Sequence, residues 1–459
     1  MAKNATREMT SGSPLKLILS FAVPLLLGML FQQFYSMVDT IIVGKSLGVD
    51  QLAGVGSTGA INFMIIGFCN GVCSGFAIPI AQSFGAKDYK RLRKFVANAA
   101  WLSIAFAAVM TVVVCVLCRQ ILSWMDTPEN IFEYAYSYIF IIFLGIPATY
   151  LYNLLSGIIR SLGDSRTPVI FLVISAMLNF LVISAMLNIL FDLLAILILH
   201  MGVAGAAWAT VLSQLISGIL CFLYMRKQYD ILKFEKDEMK FEGRQAIILC
   251  NMGIPMGLQY SITAIGSVIL QTAVNSLGSQ AVAAVTAAGR ISGFSCCPFD
   301  ALGSTMATYA GQNVGAGKLD RVGKGLKSAS FIGGIYAILA FFVLSLFGRQ
   351  IALLFVSADE IAILDQVKQF LVFNTAFYIP LCLVNTVRFC IQGMGYSRLA
   401  ILAGVCEMVG RIIASLVLVP LIGFVGICLA SPIAWIMADL FLVPAYCHTI
   451  NRMKKILAS

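Results

Sequence analysis

The chain has 459 residues, of which 60% are hydrophobic and 11% charged, and its formal net charge is +10. Soluble domains carry about 25% charged residues, so this composition excludes a soluble globular protein and predicts that most of the chain lies in lipid. The two histidines and thirteen cysteines are scattered along the chain, and we therefore expect neither a metalloenzyme nor a disulfide scaffold.

Apolar stretches long enough to cross a membrane recur along the whole chain. A spanning helix needs about 20 such residues. We predict an all-α integral membrane protein with twelve spans, at 15–42, 51–80, 90–117, 130–157, 168–199, 203–225, 246–276, 280–312, 324–347, 362–391, 397–420 and 424–447.

Lysine and arginine concentrate at the two ends of the chain and in the even-numbered loops. The positive-inside rule places these segments in the cytoplasm. We therefore expect a multi-pass protein of the plasma (cytoplasmic) membrane with both termini cytoplasmic. Because the basic residues are spread over short segments, we expect no binding of nucleic acid.

The chain matches itself when displaced by about 230 residues. The segment 82–86 returns at 312–316, 163–166 at 395–398, and 22–24 at 253–255. With an even number of spans in each copy, both copies enter the membrane from the same side, and the repeat is parallel. We predict two pseudo-symmetric six-helix lobes, residues 1–225 and 246–459, joined by a cytoplasmic linker at 226–245.

Acidic residues inside spans are the first candidates for function, since burying a carboxylate there costs about 3 kcal/mol or more. Asp39 lies in the first predicted span and Asp192 in the fifth, where Asn188 precedes it by one turn. These oxygen ligands suit a proton or a small hard cation such as Na⁺, and Thr210 could add a hydroxyl. The alternative is that both acids lie near helix ends and touch only water or headgroups.

The second lobe carries a different polar set. Glu407 and Arg411 stand one turn apart in the eleventh predicted span, close enough to pair, and a structural ion pair is an equal alternative to a functional role. With Asp300 and Gln259 they form a candidate polar site. Arg388, in the tenth span, is expected to extend towards a membrane interface.

Four prolines are candidate hinges, because a proline inside a helix removes a backbone hydrogen bond and bends the helix. They are Pro24, Pro147, Pro255 and Pro380.

Residues 171–179 are repeated at once as 180–188. Nine extra residues add about 13.5 Å of helical rise and turn the rest of the helix by about half a revolution. Asn179 lacks an acid one turn later, so we favour Asn188 as the candidate ligand. The alternative is a recent duplication that impairs the protein.

Several motifs together resemble one family. They are Pro24, Gln32-Gln33, residues 38–44, the Gln-x-x-Gly-Ala segments at 82–86 and 312–316, residues 160–164 and residues 202–210. The order of these motifs and their duplication resemble those of the multidrug and toxic compound extrusion (MATE) transporters over nearly the whole length of the chain. The resemblance implies two lobes facing a central cavity. It also implies that Asp39, Asn188, Asp192 and Thr210 form the cation site of the N-terminal lobe.

The function expected from this resemblance is antiport by alternating access. Cationic amphiphilic drugs or toxic compounds would leave in exchange for H⁺ or Na⁺, with no other cofactor, through a monomer surrounded by membrane lipid. The alternative is a flippase for a lipid-linked oligosaccharide or another lipid, which should line its cavity with cations. No catalytic residues are predicted, and an enzyme is not expected.

Overall fold

The computed structural model describes residues 6–47, 49–125, 127–181 and 202–458, and all regular structure in this part of the chain is helical. The helices are α1 Pro14–Leu47, α2 Val49–Ser57, α3 Gly59–Gly85, α4 Tyr89–Val116, α5 Cys118–Trp124, α6 Glu129–Leu144, α7 Ile146–Ser161, α8 Arg166–Leu181, α9 Val203–Gln228, α10 Gly243–Ser276, α11 Ser279–Gly315, α12 Leu319–Ala352, α13 Ile361–Ala376, α14 Tyr378–Gly393, α15 Ser397–Ile413, α16 Val419–Ile422 and α17 Phe424–Ala458. A π-helical turn, Ala414–Leu418, joins α15 to α16.

The described helices confirm the all-α membrane fold. Eight of them are long and apolar enough to cross a membrane, and two bent pairs, α6 with α7 and α13 with α14, bring the number to ten. The fifth predicted span begins as α8 and continues outside the described residues. The eighth corresponds to α11, which has 37 residues and a more polar composition.

The chain divides into two compact units. The N-terminal unit comprises Met1–Glu8 and Leu27–Gly257, and the C-terminal unit comprises Met9–Leu26 and Leu258–Ser459. The first half of α1 therefore belongs to the C-terminal unit, and the first half of α10 belongs to the N-terminal unit. The predicted lobes did not include this exchange, and their boundaries stay a prediction.

The repeat appears as the same turn in both units. In each Gln-x-x-Gly-Ala segment, the N–H of the alanine donates to the carbonyl of the glutamine, at 2.9 Å in residues 82–86 and 3.0 Å in residues 312–316. The next residue is left-handed in both copies, with φ 57° at Lys87 and φ 69° at Gly317. Only glycine adopts this conformation without steric cost, so the first copy bears a strain that the second avoids.

Two further features are shared. Gly202 and Gly423 begin corresponding helices with φ 56° and 59°. A bend of 46° separates α6 from α7, and a bend of 51° separates α13 from α14. These matched geometries confirm the internal repeat predicted from the sequence.

Helices α3 and α10 approach each other through glycines in the N-terminal unit. A Cβ added to Gly75 would lie 2.5 Å from the Cα of Gly253, and one added to Gly71 would lie 2.5 Å from the carbonyl oxygen of Met256. Glycines four residues apart let two membrane helices come into backbone contact. Larger side chains at these positions would push the helices apart.

The segment between α9 and α10 is fixed to α4. Arg93 donates two hydrogen bonds to the carboxylate of Glu238, from Nε at 2.6 Å and from Nη2 at 2.7 Å. The Glu238 side chain is buried, and the bonds from Arg93 lower its pKa to about 2. Asn98 Oδ1 accepts the backbone N–H of Glu242 at 2.8 Å. The predicted linker is therefore bound to the N-terminal unit where the structure describes it.

Candidate functional site

The predicted cation site of the first lobe is only partly described. Asp39 lies on α1 and Thr210 on α9, but the side chain of Asp39 and the residues Asn188 and Asp192 lie outside what the structure describes. Thr210 is half-buried, and its Oγ1 donates to the carbonyl of Ala206 at 3.1 Å. The hydroxyl oxygen can still accept a bond or coordinate a cation. The four-residue site stays a prediction.

A neutral polar contact lies in the N-terminal unit beside the bend between α6 and α7. Thr149 Oγ1 donates to Gln214 Oε1 at 2.6 Å and joins α7 to α9. A Cβ at Gly145, the residue at the bend, would clash with a side-chain carbon of Val211 on α9. Close packing and one hydrogen bond therefore hold the bent pair against α9.

The C-terminal unit brings most of its predicted polar residues together. Gln259 on α10 and both Glu407 and Arg411 on α15 are buried. Arg411 Nη2 lies 3.8 Å from Glu407 Oε2, which confirms the predicted pairing along one helix face. The Nη1 of Arg411 also donates to the carbonyl of Thr263 at 3.2 Å, so this arginine joins α15 to α10.

Arg388 has a different role from the predicted one. The residue is 6% exposed, and its guanidinium forms an ion pair with Glu407 across α14 and α15. The expectation that it would extend to a membrane interface was wrong. A buried arginine is tolerated where a carboxylate neutralises it, and that carboxylate comes from a neighbouring helix that sequence spacing does not reveal.

A pair of buried amides lies one turn away along α14. Gln392 Nε2 donates to Gln259 Oε1 at 2.7 Å, and both side chains are buried. A Cβ at Gly404 on α15 would lie 3.4 Å from Gln259 Cγ. Helices α10, α14 and α15 therefore meet at these two amide side chains, next to the ion pair of Arg388 with Glu407.

Asp439, on α17, was missed by the sequence analysis. It is half-buried, and its Oδ1 is inaccessible and has no hydrogen-bond partner among the described residues. Arg388 interacts electrostatically with both Asp439 and Asp300. The signal was present, because Asp439 is an acid inside a predicted apolar span, the same criterion that selected Asp39.

Asp300 completes a group that we call the charged cluster, consisting of Asp300, Arg388, Glu407, Arg411 and Asp439. Its side chain is exposed although it lies near the middle of α11. The cluster contains three carboxylates and two guanidinium groups, so its fully ionised form has one negative charge in excess.

The geometry of the cluster does not favour a multidentate metal site. Within the described ranges, no group of three or more His, Cys, Asp or Glu side chains is placed to hold a metal ion. The predicted Na⁺ ligands Asp39, Asn188 and Asp192 are not tested by this result, since they are not fully described.

The four candidate hinges fall at two kinds of position. Pro147 and Pro380 lie in the first turns of α7 and α14, directly after the 46° and 51° bends. Pro24 and Pro255 lie inside α1 and α10, two residues before the chain passes from one compact unit to the other. Movement at these prolines stays a prediction.

Comparison with known proteins gives a consistent result. The family model MatE matches residues 24–184 and 255–417. The probable multidrug resistance protein YoeA of Bacillus subtilis (strain 168) is 30% identical over 353 residues, which cover 74% of this chain and 73% of the relative. The FAD transporter of Shewanella oneidensis is 22% identical over 430 residues, 91% of each chain. A crystal structure of MATE in complex with MaL6 has a TM-score of 0.89 at 22% sequence identity, over 99% of this chain and 100% of that one.

The two matched ranges coincide with the two copies of the repeat and together cover more than half of the sequence. The likeness to a solved MATE structure shows the same two-lobed helical fold. The multi-pass helices, the duplicated turns and the family match lead to one conclusion: this chain belongs to the MatE family of multidrug efflux transporters.

Proposed function

We propose that the protein exports organic cations across the cytoplasmic membrane in exchange for H⁺ or Na⁺, by alternating access. The observation that carries this proposal is the acidic excess of the charged cluster: Glu407 pairs with Arg388 and Arg411, and Asp300 and Asp439 add two further carboxylates that interact with Arg388. A negative site in a low-dielectric medium attracts cations and disfavours anions. Family membership and the multidrug relative support export of organic compounds.

The coupling ion is proposed to bind at Asp39, Asn188, Asp192 and Thr210, with Na⁺ held chiefly by the first three. Asp39 is the acid within an otherwise apolar stretch of α1, and its carboxylate supplies negative charge to the proposed site. A transporter that holds either the coupling ion or the substrate, but not both at once, links the flow of one to the flow of the other. The lysine and arginine distribution supports cytoplasmic termini, and we propose that a single chain is the working unit.

Transport into proteoliposomes tests this proposal, with separately imposed proton and sodium gradients and ethidium as the cation. Wild-type protein should move ethidium under one gradient, and Asp39→Asn should abolish that movement. The matched control is Asp320→Asn, which removes an exposed carboxylate paired with Lys454. Undiminished transport by Asp39→Asn under both gradients would overturn the proposed coupling.

Substrate charge provides a second test. One relative is an FAD transporter, and FAD is an anion, so FAD and ethidium should be compared in the same vesicles. Movement of ethidium without FAD is the expected result, and the reverse would contradict a cationic substrate. A lipid flippase is not favoured, since the relatives are transporters of drugs and of a nucleotide cofactor.

A further inference from the structure

We propose that the segment between α9 and α10, together with the first turns of α4, forms a binding surface for the headgroup of an anionic phospholipid. This surface, which we call the linker surface, consists of Lys90, Arg91 and Trp101 on α4 and of residues 236–244. It lies wholly within the N-terminal unit. The proposal does not depend on the transported substrate or on the coupling ion.

The contacts of this segment fix it along one side of α4. Glu238 and Glu242 are bonded to α4 as described above, and Lys94 Nζ also lies 2.6 Å from Glu242 Oε1. Further along the helix, Trp101 Nε1 donates to the carbonyl of Met239 at 3.0 Å. These partners are spread over about 12 Å of α4, so the segment lies against the helix and does not hang from it by one end.

The position of the segment along α4 places it at a membrane interface. Helix α4 is a candidate span of 28 residues, about 42 Å long, whereas the hydrocarbon core of a bilayer is about 30 Å thick. The charged residues of α4 end at Lys94, and every residue from Phe95 to Val116 is uncharged. Because Met239 is bonded at Trp101, two turns beyond Lys94, the linker surface reaches the depth at which the apolar part of α4 begins.

Three large apolar side chains are exposed at this depth. Trp101 is 51% exposed, Met239 55% and Phe241 58%. Clustered exposed apolar side chains mark a surface that another molecule covers. A tryptophan whose N–H is bonded and whose ring is exposed is typical of a membrane interface. Lipid is therefore the partner that the depth of these side chains favours.

The acids of the linker surface are all used in ion pairs. Glu238 and Glu242 pair with α4, and Asp237 Oδ1 lies 2.7 Å from Lys240 Nζ. The two nearest acids outside the surface, Asp88 and Glu235, cap helix ends. None of these carboxylates is left to repel an anion at close range without a partner or a cap.

Four exposed cations remain without an ion-pair partner among the described residues: Lys90, Arg91, Lys236 and Arg244. Even with the two capping acids counted against them, two positive charges are in excess. Basic residues beside a membrane attract anionic headgroups, and lysine and arginine both donate hydrogen bonds to phosphate. The charge of the surface therefore complements an anionic headgroup.

The combination of apolar and cationic groups points to one class of ligand. The phosphate of an anionic phospholipid would accept bonds from cations such as Lys236 and Arg244, while its acyl chains would cover Trp101 and Phe241. A nucleic acid would leave the apolar side chains exposed. A zwitterionic lipid would cover them but would not neutralise the excess positive charge.

Quenching of Trp101 fluorescence by brominated lipid tests the inference. Full-length protein is placed in nanodiscs of phosphatidylcholine and phosphatidylglycerol, with bromine on the acyl chains of one lipid or the other. The Trp101 signal is the difference between a protein and the same protein with Trp101→Phe. At equal mole fraction, brominated phosphatidylglycerol should occupy the site about fivefold more strongly than brominated phosphatidylcholine.

A charge variant and its matched control separate this surface from a general attraction to the membrane. The combined variant Lys90→Gln, Lys236→Gln and Arg244→Gln should remove the preference for phosphatidylglycerol. The control replaces three exposed cations of the C-terminal unit that have no ion-pair partner among the described residues, and it should keep the preference: Lys324→Gln, Lys327→Gln and Lys455→Gln.

Glu238→Gln distinguishes a fixed surface from bare charge. It keeps every cation and removes one negative charge, but it breaks the ion pair that holds the segment on α4. If charge alone attracted the lipid, the preference would rise. The inference requires the preference to fall, because the cations and the apolar side chains are no longer held together.

The remaining arm separates lipid from soluble phosphate. An excess of glycerol 3-phosphate in the buffer should leave the quenching unchanged, since that compound cannot cover the apolar side chains. Displacement of the brominated lipid by glycerol 3-phosphate would overturn the assignment to lipid. Equal quenching by the two lipids, or a preference that survives in the combined charge variant, would overturn the inference as a whole.

Discussion

The two units share their backbone turns but differ in the polar side chains that they bury. In the N-terminal unit the bend between α6 and α7 is joined to α9 by a neutral bond from Thr149 to Gln214. In the C-terminal unit the helix after the matching bend carries Arg388, which pairs with Glu407. Glycines and helix ends set the turn geometry, whereas single interior side chains set the charge. Duplication therefore preserves a scaffold while the chemistry of each copy diverges.

Among the variants that test this difference between the units, Glu407→Leu should have the largest effect on stability. The change leaves Arg388 and Arg411 buried without their shared carboxylate, and the free energy of unfolding should fall by about 3–5 kcal/mol. Thermal unfolding in detergent measures it. The matched control is Asp365→Leu, which removes an exposed carboxylate 3.6 Å from Arg349 and should cost about 0–1 kcal/mol. Equal losses in both variants would contradict a charge-dependent C-terminal core.

The second test concerns the segment that follows the last helix of the N-terminal copy and the end of the last helix of the C-terminal copy. In the N-terminal unit a buried pair, Arg93 with Glu238, holds that segment, whereas in the C-terminal unit the exposed pair of Lys454 with Asp320 joins α17 to α12. Glu238→Gln should release the first segment at a cost of about 1.5–3 kcal/mol and speed its cleavage by trypsin at neutral pH. Asp237→Asn, which removes only an exposed pair with Lys240, should leave the cleavage rate unchanged.

Acid should imitate the Glu238→Gln change. The folded-state pKa of Glu238 is lowered to about 2, below its ordinary value. Its contribution to stability is thus present above the ordinary carboxyl pKa and is lost as the pH falls towards 2. Wild-type protein should lose this increment over that window, and Glu238→Gln should show no such loss. A pH profile shared by the two proteins would argue against the pair.

The third test compares helix packing. Gly75 lets α3 meet α10, while the position displaced by about 230 residues is Thr305, which is also buried. Gly75→Ala should destabilise the protein by about 1–3 kcal/mol, because the new methyl group meets backbone atoms. Gly334→Ala on α12 has open space around it and should stabilise by about 0.5–1 kcal/mol. Thermal unfolding of the two variants should move in opposite directions.

The smallest expected effect lies in the paired left-handed turns. Lys87→Gly should relieve strain and stabilise by up to about 1 kcal/mol, whereas Gly317→Lys should cost about 1–2 kcal/mol. Unfolding midpoints of the two variants measure the difference. Lys87 also has an exposed ion pair with Glu8 at 3.3 Å, and its loss should subtract little. Changes of the same sign in both variants would show that the turns are not equivalent.

The parts of the fold that the sequence predicts correctly are those that follow from local patterns. Hydropathy placed the spans, and the repeated Gln-x-x-Gly-Ala segments marked equivalent turns. The pairing of Glu407 with Arg411 followed from their spacing on one helix. By contrast, Arg388 meets Glu407 across two helices, and the interhelical register is set by packing that no short pattern records. Asp439 could have been found, because its apolar surroundings in the sequence are like those of Asp39.

The predicted linker is a second example of a contact that short sequence patterns do not reveal. By the positive-inside rule its charges indicate sidedness, but they do not indicate that Glu238 is buried against Arg93. The partner lies 145 positions away in sequence, and nothing local identifies it. The exchange of half-helices between the two units is likewise a property of three-dimensional packing. Sequence reasoning therefore located the elements and their order but not their partners across the fold.

The division of α1 and α10 between the units has a consequence for how such a chain arises. A single six-helix copy would lack the first half of its own opening helix, because that half packs in the other unit. Two separate copies would complete each other by exchanging these segments, which is domain swapping. The present chain is therefore equivalent to a swapped dimer fused into one polypeptide. Cutting it at the linker would yield two fragments that need each other to fold.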